Sequence, residues 1–404
     1  MKILVVGQHF YPEQFRINDI AFELVKMGHD VTVLTGLPNY PKGKVLKEYK
    51  WFKNRKQTIN GVKIIRCSLV GRGTSTIKMA INYLWYAFFG SLKALFMKKD
   101  YDIIYIYQTS PITMVYPARV VKRLRKIPLV IHCLDQWPIS ITTGGVKKES
   151  FIYKILYKIS KKCYEKTDLI TISSKSFKTY FESELKISYK DKGLNYWPSY
   201  AEDDYKNTKS INNKVFDLVF AGNIGPAQSV ETIIEAANVL KKEKDIMFHI
   251  VGDGLSRAAC ENLAKQYKLT NVIFHGLFDV SKMSPFYDLA DAFLITMVDN
   301  EVVNSTLPAK IQSYMVAGKP IIGAISGEVK DVIEEAKCGL CVKSLDYKGL
   351  ADCILQAKKE KSKLKIWGAA AYKYYQDNFE KSKLMKELEK TMLNTIDKYK
   401  RKKR

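Results

Sequence analysis

Phe216-Asp-Leu-Val-Phe-Ala-Gly-Asn-Ile-Gly225 is an apolar run that stops in two glycines, and residues 229–242 after it carry helical spacing. An apolar run closed by a glycine turn and followed by a helix reads as a buried parallel strand and its covering helix. The unit recurs downstream. Residues 247–251 form a strand closed by Gly252-Asp-Gly254, 257–268 a helix, and 272–275 a strand ended by Gly276. Residues 293–296 and 321–324 are further strands. A helix over 307–316 stops at Gly318, just before Pro320.

The same alternation runs upstream. Strands are expected at 3–7, 31–35, 62–68, 103–107, 128–133 and 169–173, with helices at 17–27, 79–97, 113–126 and 151–166. The pattern breaks at Asn195-Tyr-Trp-Pro-Ser199 and in the polar stretch 201–213, which reads as a linker. The fold class is therefore α/β, with two tandem doubly wound, Rossmann-like domains. A ligand is expected in a cleft between them, off the carboxyl ends of the strands. The expected domains are 1–200, 201–371, and a C-terminal helix with basic tail over 372–404.

Composition narrows the class. The chain has 404 residues, 47% hydrophobic and 26% charged, which excludes wholesale disorder. Its 66 Lys and Arg against 41 Asp and Glu give a net charge of +25. Residues 1–200 carry net +20, 201–350 net −4 and 351–404 net +9. One part of the molecule therefore faces something anionic. Seven cysteines without framework spacing fit a reducing compartment, and Cys338-Gly-Leu-Cys341 lacks a second pair. The apolar start at Ile3 is too short for a signal-peptide core.

The second domain carries most of the chemistry. Glycines after a strand let main-chain amides approach a phosphate, as at Gly222, Gly225 and Gly252. No full G-x-G-x-x-G occurs, so a dinucleotide fingerprint is absent. Ser305-Thr-Leu-Pro308-Ala-Lys310 reads as a helix start, with Ser305 or Thr306 as cap and Lys310 as a cation for a diphosphate. The same pattern is equally an ordinary capped helix with a solvated lysine.

Together these segments resemble the family 4 glycosyltransferases with the GT-B fold. The resemblance rests on Val219-Phe-Ala-Gly-Asn-Ile-Gly225, His249-Ile-Val-Gly-Asp-Gly254, Val272-Ile-Phe-His-Gly276 and Tyr314-Met-Val-Ala-Gly-Lys-Pro-Ile-Ile322. Phe10-Tyr-Pro-Glu13, Gly36-Leu-Pro-Asn-Tyr-Pro-Lys-Gly43, Asp135-Gln-Trp-Pro138, the Gln228 loop and Pro308-Ala-Lys310 bring it closest to bacterial transferases of O-antigen and capsule synthesis, similar to N-acetyl-L-fucosamine transferases.

The resemblance implies that a single helix over 372–399 returns to the first domain, and it implies a nucleotide-sugar donor, UDP-linked, held by the second domain. Gly222, Asn223, Gly225 and Gln228 are implied at its diphosphate, with Gly252, Asp253 and Arg257 lining the site. His275, Gly276 and Leu277 are implied at the base, and Ser305, Thr306, Leu307, Pro308 and Lys310 at the leaving group. On the acceptor side it implies Gly7, Phe10, Tyr11, Glu13, Asn39 and Tyr40, with Asp135 and His132 near the sugar. Asp135, His132 and Lys310 are the expected catalytic residues. Two departures stand out. Many family members have Arg and Lys where this chain has Asn223 and Gln228, and two Glu where it has Ser305 and Ser313.

The implied reaction is sugar transfer with retention, helped by charge stabilisation on the departing diphosphate. No Asp-x-Asp lies in a fitting context, so no metal or other cofactor is expected. Asp135 is read either as orienting or deprotonating the acceptor or as capping a turn. The implied acceptor is a polyprenyl-diphosphate-linked glycan.

The basic half bears on location. Residues 79–97 are aromatic-rich and flanked by Lys78, Lys98 and Lys99, which suits a buried helix, a membrane-surface helix or a short span. The helix at 151–166 sets Phe151, Ile152, Ile155, Leu156 and Ile159 opposite Lys154, Lys158, Lys161 and Lys162. That is the pattern of a helix at an anionic membrane surface, or of a sheet-covering helix with a solvated lysine face. The expected location is cytoplasmic, peripheral on the inner face of a bacterial cytoplasmic membrane. Nucleic-acid binding is the competing class, and no recognition motif supports it. A sugar-nucleotide 2-epimerase of the same fold is the competing enzyme.

Overall fold

The computed structural model describes residues 1–73, 75–97, 100–187, 193–201, 205 and 214–403. The chain forms two units, Met1–Trp197 with Met385–Arg404, and Pro198–Leu384. Lys98, Lys99 and most of the polar linker lie outside the described residues.

In the first unit the order is β1 (Lys2–Val6), α1 (Arg16–Lys26), β2 (Asp30–Thr35), β3 (Lys56–Ile59), β4 (Val62–Arg66), α2 (Thr76–Leu95), β5 (Ile103–Gln108), α3 (Tyr116–Arg125), β6 (Leu129–Cys133), α4 (Phe151–Glu165), β7 (Leu169–Ile172), the short α5 (Phe177–Thr179) and β8 (Leu194–Tyr196). Among the described residues the sheet runs β3-β4-β2-β1-β5-β6-β7-β8. Only the β3–β4 pairing within it is antiparallel. The central strands are sealed on both faces, which explains their unbroken apolar runs. β3, Lys-Gln-Thr-Ile, carries no such run and was invisible to periodicity.

The second unit follows the same plan: β9 (Phe216–Ala221), α6 (Val230–Val239), β10 (Ile246–Val251), α7 (Arg257–Gln266), β11 (Val272–Gly276), α8 (Ser284–Leu289), β12 (Ala292–Thr296), α9 (Glu301–Asn304), α10 (Lys310–Val316), β13 (Ile321–Ala324), α11 (Glu328–Ala336), β14 (Gly339–Val342), α12 (Tyr347–Lys359), α13 (Lys361–Asn378) and α14 (Lys381–Arg401). Its parallel sheet runs β11-β10-β9-β12-β13-β14. The strand order reverses at β9, and α/β sheets bind ligands off the carboxyl end of such a point.

Three expectations change. The single helix foreseen over 372–399 is two, because Phe379 leaves helical geometry and buries its ring against Tyr374. The return of the C-terminal helix to the first domain is as expected: from Met385 onward α14 belongs to the first unit, where Glu389 faces His29 at 2.9 Å. Secondly, α2 is not a fully buried helix. Asn82, Tyr86, Gly90 and Ala94 are buried, Gly90 against Pro117 of α3, while Ile77, Ile81, Leu84, Phe88 and Leu92 form an exposed stripe. No helix among the described residues is long and apolar enough to cross a membrane. Thirdly, α4 buries Tyr153, Ser160, Cys163 and Tyr164 rather than the 151/152/155 face, which is exposed together with Lys154, Lys158 and Lys162. The Cys338/Cys341 pair sits at β14 as free thiols whose pKa values burial raises.

Candidate functional site

In the second unit β9, β10 and β11 each run into a glycine turn. The turns are laced together by main-chain hydrogen bonds, Gly222 N to Val251 O at 2.9 Å and Gly252 N to Gly276 O at 2.8 Å. Gly252 is obligatory: a Cβ there would lie 1.8 Å from Gly222 O, at φ +145°. These turns hold backbone open at the carboxyl edge, where a side chain would exclude a ligand.

Tyr314 fixes what approaches this edge. Its hydroxyl lies 2.9 Å from Ala221 N and 3.1 Å from Ala221 O, and its ring stacks on Phe293 at 4.1 Å. That pins α10 to the end of β9. One turn earlier on the same helix face, Lys310 is brought under Gly222. Its Nζ lies 4.1 Å from the centroid of the Phe220 ring, is enclosed, and has no hydrogen-bond partner among the described residues. Burial pushes its pKa down to about 7. A buried ammonium without a counter-ion is costly unless an anion arrives to compensate it.

Asn223 and Gln228, the two departures, interact with each other: Asn223 Nδ2 donates to Gln228 Oε1 at 3.1 Å. Both crowd Gly225, where a Cβ would lie 2.6 Å from Asn223 Nδ2. The two side chains form a neutral clasp around the turn. Gln228 O also accepts from Thr296 Oγ1 at 2.7 Å.

Other expected donor residues are placed less simply. Arg257 leans over Gly276, but its Nε is paired with Glu261 at 2.8 Å, and that hydrogen bond raises its pKa. Asp253 turns back to its own loop, accepting from Gly254 N at 2.8 Å. His275 belongs to a chain. Its Nε2 lies 2.9 Å from His249 Nδ1, and His249 Nε2 lies 2.9 Å from the buried Asp217. Leu277 is exposed.

Ser305 and Thr306 correct an expectation. They do not cap the helix carrying Lys310. Both hydroxyls bond back to Val302 O, at 2.9 and 2.8 Å, and their amides are used within α9. The helix foreseen at 307 begins at Lys310, with Leu307 buried and Pro308 in the connecting loop.

In the first unit Asp135 follows β6. Its carboxylate accepts from Ser110 Oγ, which itself accepts from Trp137 Nε1 at 2.8 Å. Burial raises the Asp135 pKa, and the Ser110 hydrogen bond partly offsets this. His132 corrects the second catalytic expectation. It has no exposed surface, lies edge-on to Trp197, and reaches Thr171 Oγ1 at 2.9 Å. Burial lowers its pKa to about 3, so it is a neutral core residue.

Glu13 is a staple, not a free acid. One oxygen accepts from Asn39 N and Tyr40 N, both at 2.6 Å, and the other meets His9 Nδ1 at 2.8 Å. Phe10 is buried against Phe22, which corrects its acceptor-side placement. Gly7 continues the sheet, donating to Leu34 O at 3.2 Å. Tyr11 and Tyr40 keep exposed rings.

Sequence reading missed Arg72 and Tyr83. Arg72 N donates to Asn39 Oδ1 at 3.0 Å, and its guanidinium stands 5.7 Å from the Tyr40 ring centroid. Burial raises the Tyr83 pKa, with Arg72 opposing and Asp135 adding to the shift. The signal available was Gly71-Arg-Gly73, an arginine between two glycines.

The family described as Glycosyl transferases group 1 matches residues 201–374, and that described as Glycosyltransferase Family 4 matches residues 15–191. The putative colanic acid biosynthesis glycosyl transferase WcaI of Escherichia coli is 23% identical over 339 residues, covering 79% of this chain and 82% of WcaI. Among solved structures, the sucrose-phosphate synthase of Thermosynechococcus elongatus superposes with a TM-score of 0.77 at 13% identity, over 97% of this chain and 98% of that one. HepE of Anabaena, in complex with UDP and glucose, gives 0.70 at 14%, over 97% and 99%. With both halves matched, the chain belongs to the family 4 glycosyltransferases of GT-B fold.

Proposed function

We propose that this glycosyltransferase moves an N-acetylated amino or deoxyamino sugar, with retention and without a metal, from a UDP-linked donor to a polyprenyl-diphosphate-linked glycan in bacterial surface-polysaccharide synthesis. The observation that carries the donor half is Lys310: a buried, unpartnered ammonium beneath the Gly222 turn. A diphosphate at that turn supplies the missing counter-charge. HepE, a neighbour in fold, binds UDP, and the relative WcaI is named for colanic acid biosynthesis.

In the proposed step the acceptor hydroxyl oxygen bonds to the anomeric carbon, and the bond from that carbon to the donor diphosphate breaks. Its electron pair leaves with UDP, where Lys310 and the glycine-turn amides stabilise it. The hydroxyl proton passes to the Asp135 carboxylate, whose burial makes it a stronger base than a solvated aspartate.

The exposed apolar residues of α2 and α4, with Lys154, Lys158 and Lys161 on the latter, support peripheral contact with the anionic inner face of a membrane. The test is a screen of UDP-sugars by thermal shift and hydrolysis, repeated with EDTA. Consumption of one donor, unaffected by EDTA, is expected. No stabilisation and no turnover with any nucleotide-sugar sinks the reading. Conversion of a UDP-N-acetylhexosamine to its 2-epimer would identify an epimerase instead. Flotation with anionic vesicles should be lost in high salt.

A further inference from the structure

We infer that Trp51 and Phe52 form a wedge that enters the interface of an anionic bilayer, an inference that rests on the peripheral-membrane reading above. They are the two most exposed aromatic side chains among the described residues, at 87% and 84%. Both also hold φ in the left-handed region, at +51° and +65°. Bulky L-residues avoid that region, because the side chain crowds the following carbonyl. Leaving two large apolar rings in water adds to the cost. Strain spent on displaying apolar rings to the outside marks a binding element rather than a packing one.

The root of the turn is fixed. Tyr49 is buried, and the Arg66 guanidinium stands 4.8 Å from its ring centroid. Arg66 Nη1 donates to Asn54 O at 3.0 Å and to Gln57 Oε1 at 2.7 Å, and its Nη2 donates to Tyr11 O at 2.8 Å. Lys53 N closes the turn on Lys50 O at 3.0 Å, and Asn54 Nδ2 donates to Glu48 O at 2.8 Å. The Arg55 guanidinium lies 5.4 Å from the Phe52 ring centroid. β3 follows the turn and runs antiparallel to β4, with Lys56 opposite Ile65. The tip therefore stands at the carboxyl end of β4, the edge of the sheet at which Asp135 follows β6.

Charge names the partner. Residues 42–56 carry six lysines, Arg55 and a single acid, Glu48. All six lysines are exposed, and none is paired with a carboxylate among the described residues. Apolar rings at the tip with cations around them match the interface of an anionic bilayer, where the rings enter the headgroup region and the ammonium groups meet the phosphates. Tryptophan suits that depth, with an apolar body and one polar N–H. A glycan or a nucleic-acid strand is held in a groove, and rings this exposed have no walls around them. A bilayer requires only a protrusion.

The probes are vesicles of phosphatidylglycerol mixed with phosphatidylcholine, and vesicles of phosphatidylcholine alone, added to the full chain. Wild type should float with the mixed vesicles, and the double variant Trp51→Ser, Phe52→Ser should bind them about 10- to 100-fold more weakly. Lipids brominated along the acyl chain should quench tryptophan emission of the bound wild type. Trp51→Phe should still bind and should lose part of that quenching. A melting temperature of the serine variant no lower than wild type reports an intact fold, since rings this exposed contribute little packing. Equal vesicle affinity of wild type and the serine variant, or quenching unchanged in Trp51→Phe, overturns the wedge and leaves contact through α2 and α4 standing. Equal binding to phosphatidylcholine alone overturns its anionic part. A single-stranded oligonucleotide or a soluble oligosaccharide whose affinity falls in the serine variant, while vesicle binding holds, reassigns the pair to that ligand. A wild type that binds no vesicle overturns the peripheral-membrane reading and the wedge with it.

Discussion

The ammonium of Lys310 packs on the face of Phe220, 4.1 Å from the ring centroid, and has no acidic partner among the described residues. The ring supplies part of what water would, through its negative face. What it leaves unsatisfied is the net charge, and that makes the place selective for an anion.

Lys310→Ala should cut transfer by roughly 100- to 1,000-fold, the usual cost of losing one preorganised charge stabiliser. Its melting temperature should hold or rise, because an uncompensated buried charge is removed. Turnover and thermal melts check both, and near-wild-type turnover would take Lys310 out of the site.

The pH dependence follows from the same burial. In the free protein Lys310 titrates at about 7, and a bound diphosphate raises that value. The complex therefore holds more protons than the free protein. UDP affinity should be highest below about pH 7 and decline as pH rises toward about 10. Ligand-free stability should move the other way over this window, since the unfolded chain then binds the extra proton. Calorimetry in buffers of different ionisation enthalpy should show proton uptake on UDP binding, and its absence would contradict the assignment.

Asp135 has a pKa above the ordinary aspartate value, with burial as the leading cause. The acid limb of kcat/KM should therefore lie above about pH 3.9, and Asp135→Asn should abolish it along with most of the activity. UDP affinity should be untouched. The folded state holds the extra proton, so wild-type stability falls as pH rises through the shifted value. Asp135→Asn should accordingly melt no lower than wild type at neutral pH.

Gly252→Ala would force a Cβ within 1.8 Å of Gly222 O at a positive φ. A loss on the order of 3 kcal/mol or more is expected, with loss of UDP binding. Chemical denaturation measures the first, and a stable, UDP-binding variant would show that the two turns can separate.

Much of the fold was legible because buried parallel strands leave unbroken apolar runs closed by glycine, as at Phe216–Ala221 and Gly222. Helix ends were less so. Ser305 and Thr306 have the composition of a cap, but their hydroxyls bond back to Val302 O. For Phe151, Ile152 and Ile155 spacing left two readings open, a membrane-surface face or a sheet-covering one, and only the burial of Tyr153, Ser160, Cys163 and Tyr164 shows which face packs.

Strand period, glycine placement and charge are local properties, so the two α/β units, the glycine turns and Lys310 can be read along the chain. Which of these groups have partners depends on folding. Folding uses both oxygens of Glu13, seals His132 in the core, clasps Asn223 to Gln228, and leaves Lys310 and Arg72 without a carboxylate among the described residues. Pairing of this kind joins residues distant in sequence, so no reading of spacing along the chain contains it.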